Sequence, residues 1–401
     1  MARFSPSYAV SRMKPSATLE TAQLARDLKS QGRDVISLAT GEPDFNTPLH
    51  IVEAAHRAAL DGKTRYSPVG GVAELREAVT RKLERDNSLT IDPGNVIVSN
   101  GAKQVISNAF IATLNPGDEV IIPAPYWVSY PELVGMLGGT AVIAQTRAPD
   151  FILTPQELER RITPRTRWLV LNAPGNPTGA IYSEVELKAL GDVLARHPHV
   201  WLMTDDIYEY LAYGSARFMT LTQAVPMLGD RTLVINGVSK AYAMTGWRIG
   251  YAAGPAGLVK AMGKVQSQLS SGANMVAQYA AAAALDGPRT EIDAFVCTYE
   301  DRRNKAGAVL QSVHGIQLKL PDGAFYLFPS CKQLLGKKTL EGKVIDSDAA
   351  FASELLQREG VAVVPGSAFG APGHFRTTFA VATDLLLEAS QRIKRFAESL
   401  Q

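Results

Sequence analysis

Short apolar runs separated by amphipathic helical stretches set the strongest limit on what this 401-residue chain can fold into. The runs are Val96-Ile97-Val98, Glu119-Val120-Ile121-Ile122, Trp168-Leu169-Val170-Leu171, Val200-Trp201-Leu202-Met203 and Leu233-Val234-Ile235. Strand-length segments that alternate with helices imply an α/β fold, with a mainly parallel sheet covered on both faces. The helix starts are legible. Thr154-Pro155-Gln156-Glu157 and Ser183-Glu184-Val185-Glu186 read as capping boxes, the first with proline at the first helical position.

Ligands of such sheets bind just beyond the carboxyl ends of the strands. The residues at those ends are Asn100-Gly101-Ala102, Asn172 to Gly179, Asp205-Asp206 and Ser239-Lys240. Glycine, asparagine, aspartate and lysine therefore converge on one edge. Lys240 is the most informative of them. Burial or nearby positive charge lowers a lysine's pKa and makes it a nucleophile able to form a Schiff base. Ser239 and Arg248 suit a phosphate beside that amine. Each residue alone has a plainer reading. Lys240 could be a solvated cation, Asp205 a helix cap or half of a metal pair with Asp206, and Asn176 to Gly179 a turn. Trp127 could be core packing, and Tyr66 a surface aromatic.

A chain of this length calls for two domains, or a large one with a smaller partner. The formal charge is +2 with no long run of one sign, so nucleic acid and acidic membranes are not expected partners. Cys297 and Cys331 are the only cysteines. They make no disulfide framework and no cysteine zinc site, and they fit a reducing cytoplasm. The six histidines are scattered. The alanine-rich stretch Met275 to Leu285 reads as a packed helix, too short to span a bilayer. Strand-like pieces at Ile316 to Leu320, Ala324 to Phe328 and Val361 to Val364, with a terminal helix from Asp384, are expected to join residues 1–48 in a smaller unit.

Together these segments resemble a fold-type I pyridoxal-phosphate aminotransferase of class I, in the bacterial aspartate aminotransferase group. The resemblance runs from about Arg12 to the C-terminus. It is carried by Gly-Glu-Pro-Asp-Phe at 41–45, Asn-Pro-Gly-Asp-Glu-Val at 115–120, Pro-Tyr-Trp at 125–127, Asn-Pro-Thr-Gly at 176–179, Asp-x-x-Tyr at 205–208 and the segment around Lys240. It implies a large cofactor-binding domain over 49–313 with a mainly parallel seven-stranded sheet. Residues 1–48 would form an N-terminal arm and part of a small α+β domain, completed by 314–401. The implied reaction is ping-pong transfer of an α-amino group between an amino acid, aspartate or glutamate first, and a 2-oxo acid.

The resemblance also implies roles. Lys240 would be the Schiff-base lysine and proton carrier. Asp205 would pair with the protonated pyridine nitrogen of pyridoxal 5'-phosphate. Asn176 and Tyr208 would bond the ring hydroxyl oxygen, and Trp127 would stack on the ring. Gly101 and Ala102 open a helix suited to an anion, with Ser239 and Arg248 completing a phosphate cup. Tyr66 would reach the phosphate of a neighbouring subunit, implying a homodimer with shared active sites. Arg376 would clamp the substrate α-carboxylate, with Gly41 approaching the same group. Lys14, Thr18 and Lys103 match positions that read a distal carboxylate, and Lys14 is also where prephenate-using members hold their extra carboxylate.

The segment Thr377 to Ala382 departs from close aspartate relatives, as do Asn100, Ala102 and Gly175. A prephenate, aromatic or other specialised transaminase is therefore an alternative, and a pyridoxal-phosphate lyase would need the same lysine and aspartate. A ligand-sensing module of a transcription regulator would carry an added basic domain, for which the resemblance leaves no room. Gly62-Lys63-Thr64 lacks the earlier glycine of a phosphate-binding loop, because Arg57 occupies that place.

Overall fold

The computed structural model describes residues 4–401. Seven strands form its main sheet: β1 (Val96–Ser99), β2 (Glu119–Ala124), β3 (Thr140–Gln145), β4 (Thr166–Asn172), β5 (Trp201–Asp205), β6 (Thr232–Gly237) and β7 (Gly250–Ala253). Their spatial order is β1-β7-β6-β5-β4-β2-β3. All neighbours are parallel except β7, which runs antiparallel to both β1 and β6. The apolar runs in the sequence thus mark five of the strands. The other two, β3 and β7, carry fewer bulky side chains.

Side chains two apart along a strand share a face, and the core divides accordingly. Ile97, Val120, Ile122, Trp168, Val170, Met203, Leu233 and Ile235 pack on one face with Val105, Ile106 and Phe110 of the helix Ala102–Thr113. Ile121, Leu169, Leu171 and Leu202 face the helix Glu184–Ala195 on the other. Toward the opposite end of that second face, Val96, Val98, Val234 and Tyr251 meet alanines of the helix Met275–Asp286. Gln278 of that helix is fully buried, because its amide accepts from the Val72 N–H at 2.8 Å and donates to the Ala273 carbonyl at 3.0 Å.

Both helix starts form where expected, with a difference. The Ser183 box is reciprocal: Glu186 accepts from the Ser183 N–H, and the Ser183 hydroxyl accepts from the Glu186 N–H. Thr154 caps Glu157, but the Glu157 carboxylate turns instead to Arg160, Arg161 and the Gln145 N–H. Two nearby cations draw it away from the cap.

The chain ends meet beside the sheet. Ile36–Ser37 pairs in parallel with Val361–Ala362, and Ile36 and Leu38 share a core with Phe325, Phe351, Phe375 and Phe396. A second small sheet places Phe375–Thr378 between Val364–Pro365 and Tyr326–Leu327. The expected strand at 361–364 is therefore split between two sheets. The expected strand at 316–320 does not form. Only Gln317 forms a strand-like bridge, to Ser330, while Thr377–Thr378 pairs with Tyr326–Leu327. The terminal helix spans Thr383–Ser399. Among the described residues, no helix is long and apolar enough to cross a membrane.

Candidate active site

The carboxyl ends of β4, β5 and β6 open into a cavity of about 380 Å³. Its wall includes Thr18, Gly41, Ala102, Lys103, Trp127, Asn176, Asp205, Tyr208, Ser239, Lys240, Arg248 and Arg376. Residues from both ends of the chain thus join residues of the sheet. Parallel packing explains the convergence, since successive strands of one direction deliver their following loops to one edge.

Lys240 follows the last turn after β6, and its Nζ donates to the Gly41 carbonyl at 2.7 Å. Burial lowers its ammonium to about 8, aided by the charges of Arg376 and Arg248 and opposed by those of Glu42 and Asp205. The neutral amine is therefore far more abundant near neutral pH than in an ordinary lysine, which suits a nucleophile and proton carrier.

Asp205 ends β5 and is 5% exposed. Burial raises its carboxyl to about 6, against the hydrogen bond from Tyr130, the nearby Ile207 N–H and the Lys240 charge. Its Oδ1 is buried and has no partner among the described residues. A buried acceptor without a donor is costly, and the cost disappears when a cationic N–H is brought to it.

Arg376 is 1% exposed on the strand Phe375–Thr378. It lies between the rings of Tyr326 at 4.5 Å and Phe369 at 5.0 Å. One terminal nitrogen donates to Asn176 Oδ1 at 3.0 Å and the other to the Ala39 carbonyl, while Nε has no partner among the described residues. Arginine stays charged even here. The Asn176 side chain is thereby oriented by Arg376, and the Asn176 backbone N–H donates to Asn172 Oδ1 at 2.9 Å.

An anion cradle forms at the first turn of the helix Ala102–Thr113. Gly101 caps it with φ +83°, a left-handed conformation that favours glycine. Gly250 lies so close beneath that a Cβ there would strike the Ala102 nitrogen. Ser239 is buried at the rim. Arg248 donates to the Thr245 carbonyl at 3.0 Å and the Asn100 carbonyl at 3.3 Å, which aims its guanidinium across the cradle. Lys103 Nζ sits 4.8 Å above the Trp127 ring.

Two expected residues lie elsewhere. Lys14 is exposed and outside the cavity wall, and its backbone N–H is held by Glu132 at 2.9 Å. Tyr66 is 93% exposed and lines a separate surface depression with Lys63, Arg65 and residues 270–276. Several residues in or just behind the wall were not singled out from the sequence. Tyr130 donates to Asp205 Oδ2 at 2.5 Å. Tyr326 exchanges a hydrogen bond of 2.7 Å with Tyr208. Asn172 holds the Asp205 carbonyl at 2.8 Å, and Glu42 accepts from Thr245. Asn172 and Glu42 stood inside strand-end or motif segments and could have been nominated on that signal. Tyr130 and Tyr326 had none, because their partners lie 75 and 118 residues away.

Comparison with known proteins gives a consistent picture. The family model for aminotransferase class I and II matches residues 33–393. A probable aspartate/prephenate aminotransferase of Rhizobium leguminosarum bv. phaseoli is 53% identical over 389 residues, covering 97% of each chain. An aspartate/prephenate aminotransferase of Cereibacter sphaeroides is 50% identical over 392 residues, 98% of each. The crystal structure of the aspartate aminotransferase from Rhizobium meliloti is similar with TM-score 0.97 at 45% identity, covering 100% of both chains.

Proposed function

The chain belongs to the class I and II aminotransferase family, and from that premise we propose that its cavity holds pyridoxal 5'-phosphate and serves two half-reactions on one amino group. The protein is an aminotransferase of the aspartate type, on the type I fold of pyridoxal-phosphate enzymes. Aspartate or glutamate is the donor and 2-oxoglutarate or oxaloacetate the acceptor. The observation that carries the assignment is the pairing of a lowered Lys240 amine with the unpartnered, buried Oδ1 of Asp205 in one cavity.

The residues present fit that cofactor. Asp205 offers an acceptor to a protonated ring nitrogen. Asn176 and Tyr208 offer donors to a ring oxygen, and Trp127 a flat face. The Gly101–Ala102 cradle, Ser239 and Arg248 offer N–H, O–H and positive charge to a phosphate. When bound, the cofactor supplies an aldehyde that captures amines and a ring that takes up the electron pair left at Cα.

The chain's own residues do the rest. Lys240 is the attachment point and, once released, carries the proton at Cα. Arg376 grips the α-carboxylate with a two-point fork and so fixes the direction of the Cα–H bond. Thr18 and Lys103 attract the distal carboxylate, and Lys14 lies on the same N-terminal segment. Tyr66, open to solvent, would reach the phosphate of a second copy, which makes the working unit a homodimer. We extend the proposal to the chain's organisation. Residues 49–313 form the cofactor unit and the two ends the smaller one, supported by the pairing of Ile36–Ser37 with Val361–Ala362. A cytoplasmic location is proposed from the two unpaired cysteines.

Following the absorption of the bound cofactor tests this reading. Aspartate should convert the spectrum, and 2-oxoglutarate should restore it. Release of ammonia and fumarate from aspartate, with no glutamate formed, would identify a lyase instead. A second reading, use of prephenate as acceptor, is favoured by the names of the 53% and 50% identical relatives. Restoration of the spectrum by prephenate would establish it.

A further inference from the structure

We propose that Lys82, on the helix Ala73–Asn87, is a positioning residue for the reaction, holding Asp205 and Tyr208 in place through Glu209. The inference rests on the assignment of Asp205 and Tyr208 to the cofactor.

The segment that follows β5 has two sides. Asp205, Ile207 and Tyr208 line the cavity. Asp206, Glu209 and Tyr210 turn the other way, into a polar cluster behind it. Lys82 is fully buried there and ion-paired with Glu209, itself 7% exposed. The same ammonium donates to Asn87 Oδ1 at 2.6 Å and lies 4.0 Å from Asp86 Oδ2 and 5.3 Å above the Tyr210 ring. Asn87 Nδ2 closes the ring of contacts by donating to Glu209 Oε2 at 3.0 Å. The Tyr210 hydroxyl donates to Asp86 at 2.5 Å, with the Arg289 guanidinium 4.3 Å over its ring. Asp206 accepts from Thr204 at 3.3 Å. Burial and the Glu209 charge push the Asp206 carboxyl well above the usual range.

Stability alone gives little reason for this arrangement. A buried ion pair seldom outperforms apolar side chains of the same volume, and its best-attested use is to specify one geometry. Here the geometry specified is that of a turn without regular hydrogen bonding. Its backbone bonds are Asp206 N–H to Ile235, Glu209 N–H to Asp206 and Leu211 N–H to Tyr208. Glu209 directly follows Tyr208, so a shift of its carboxylate moves the phenol that meets Tyr326. Asp205 stands at the start of the same turn. The pair thus ties two cavity residues to a helix more than a hundred residues earlier in the chain, by two independent contacts to one carboxylate.

The test compares the parent with Lys82→Met, Glu209→Gln and the double variant Lys82→Met/Glu209→Leu. Three quantities are read: melting temperature, the dissociation constant of pyridoxal phosphate from absorbance titration of apo protein, and kcat and KM with aspartate and 2-oxoglutarate. Lys82→Met should weaken cofactor binding and lower kcat by about 10-fold or more, the scale expected of a small displacement in a positioned site. Its aspartate KM should stay near the parent's, since Arg376 is untouched. Glu209→Gln can keep only one of the two contacts, because an amide nitrogen cannot accept from Lys82 or Asn87, and should weaken cofactor binding and lower kcat in the same direction as Lys82→Met. The double variant should recover the melting temperature but not cofactor affinity or kcat. Should Lys82→Met fail to fold, the double variant carries the same test. Parent-like affinity and kcat in the double variant, or in Lys82→Met with only a lowered melting temperature, would overturn the proposal. A parent that neither binds pyridoxal phosphate nor transaminates would instead defeat the functional reading beneath it.

Discussion

Tyr130 donates a 2.5 Å hydrogen bond to Oδ2 of Asp205 and leaves Oδ1 of the same carboxylate buried and unpartnered. The phenol settles which oxygen is free for a ligand and opposes the rise in pKa that burial imposes.

Tyr130→Phe should therefore raise the Asp205 pKa above its present value of about 6. Asp205 must be ionised to hold a protonated ring nitrogen, so cofactor binding in the variant should fail at higher pH than in the parent. Loss of a hydrogen bond to a charged group costs about 1.5–3 kcal/mol, or ~10- to 100-fold in affinity. The pyridoxal-phosphate dissociation constant measured from pH 5 to 8 checks both the size and the direction.

Covalent uptake of pyridoxal phosphate by the apo protein, trapped with borohydride, should rise with pH through about 8, as Lys240 loses its proton. Glu42 raises that pKa. Glu42→Gln should move the rising limb to lower pH, and a shift to higher pH would contradict the electrostatic account. Lys240→Ala should give no trapped product at any pH.

Arg376→Lys keeps the charge but loses the planar fork. The KM for aspartate and for 2-oxoglutarate should each rise by roughly 100-fold, as expected when a two-point charge-assisted contact is lost. Cofactor content should stay at the parent level. Steady-state kinetics with absorbance at the cofactor band decides the matter.

Lys103→Ala should reduce kcat/KM for aspartate and glutamate by about 10-fold or more relative to alanine and phenylalanine, because only the dicarboxylates present a distal charge to this ammonium. Equal losses across the four would assign Lys103 to Trp127, over which it lies at 4.8 Å.

Gly250→Ala should push the first turn of the helix Ala102–Thr113 away from the cradle, since the new Cβ would meet the Ala102 nitrogen. Overpacking of this kind costs about 1–3 kcal/mol. The melting temperature should fall. Inorganic phosphate should protect the variant less than it protects the parent.

Order along the chain was enough to find the strand-end residues. Asn176, Asp205 and Lys240 each stand within five residues of the end of an apolar run, and the parallel-sheet rule needs only that sequence of events. The capping residue Ser183 was legible for the same reason, its partner Glu186 being three residues on. Tyr326, Tyr130 and the Lys82–Glu209 pair were not legible. Each acts across a gap that no local pattern spans, and a tyrosine or lysine inside a helix or loop looks the same whether it meets solvent or a buried acid. The strand β7 was missed because Gly250-Tyr251-Ala252-Ala253 carries little apolar bulk, while its place between β1 and β6 supplies the burial.

The amino-acid sequence by itself determined the chemistry available at the sheet edge: a lysine, an aspartate, an asparagine and a glycine-led helix start, in the order that makes their loops converge. Tertiary structure alone decided the state of each group. Burial brings Lys240 down to about 8 and Asp205 up to about 6. Contacts from residues 75 to 200 positions away choose which oxygen of Asp205 is free and which way Asn176 and Arg376 turn. Side-chain identity is written locally, whereas desolvation and hydrogen-bond geometry are properties of the surroundings, and those exist only once distant segments have packed together.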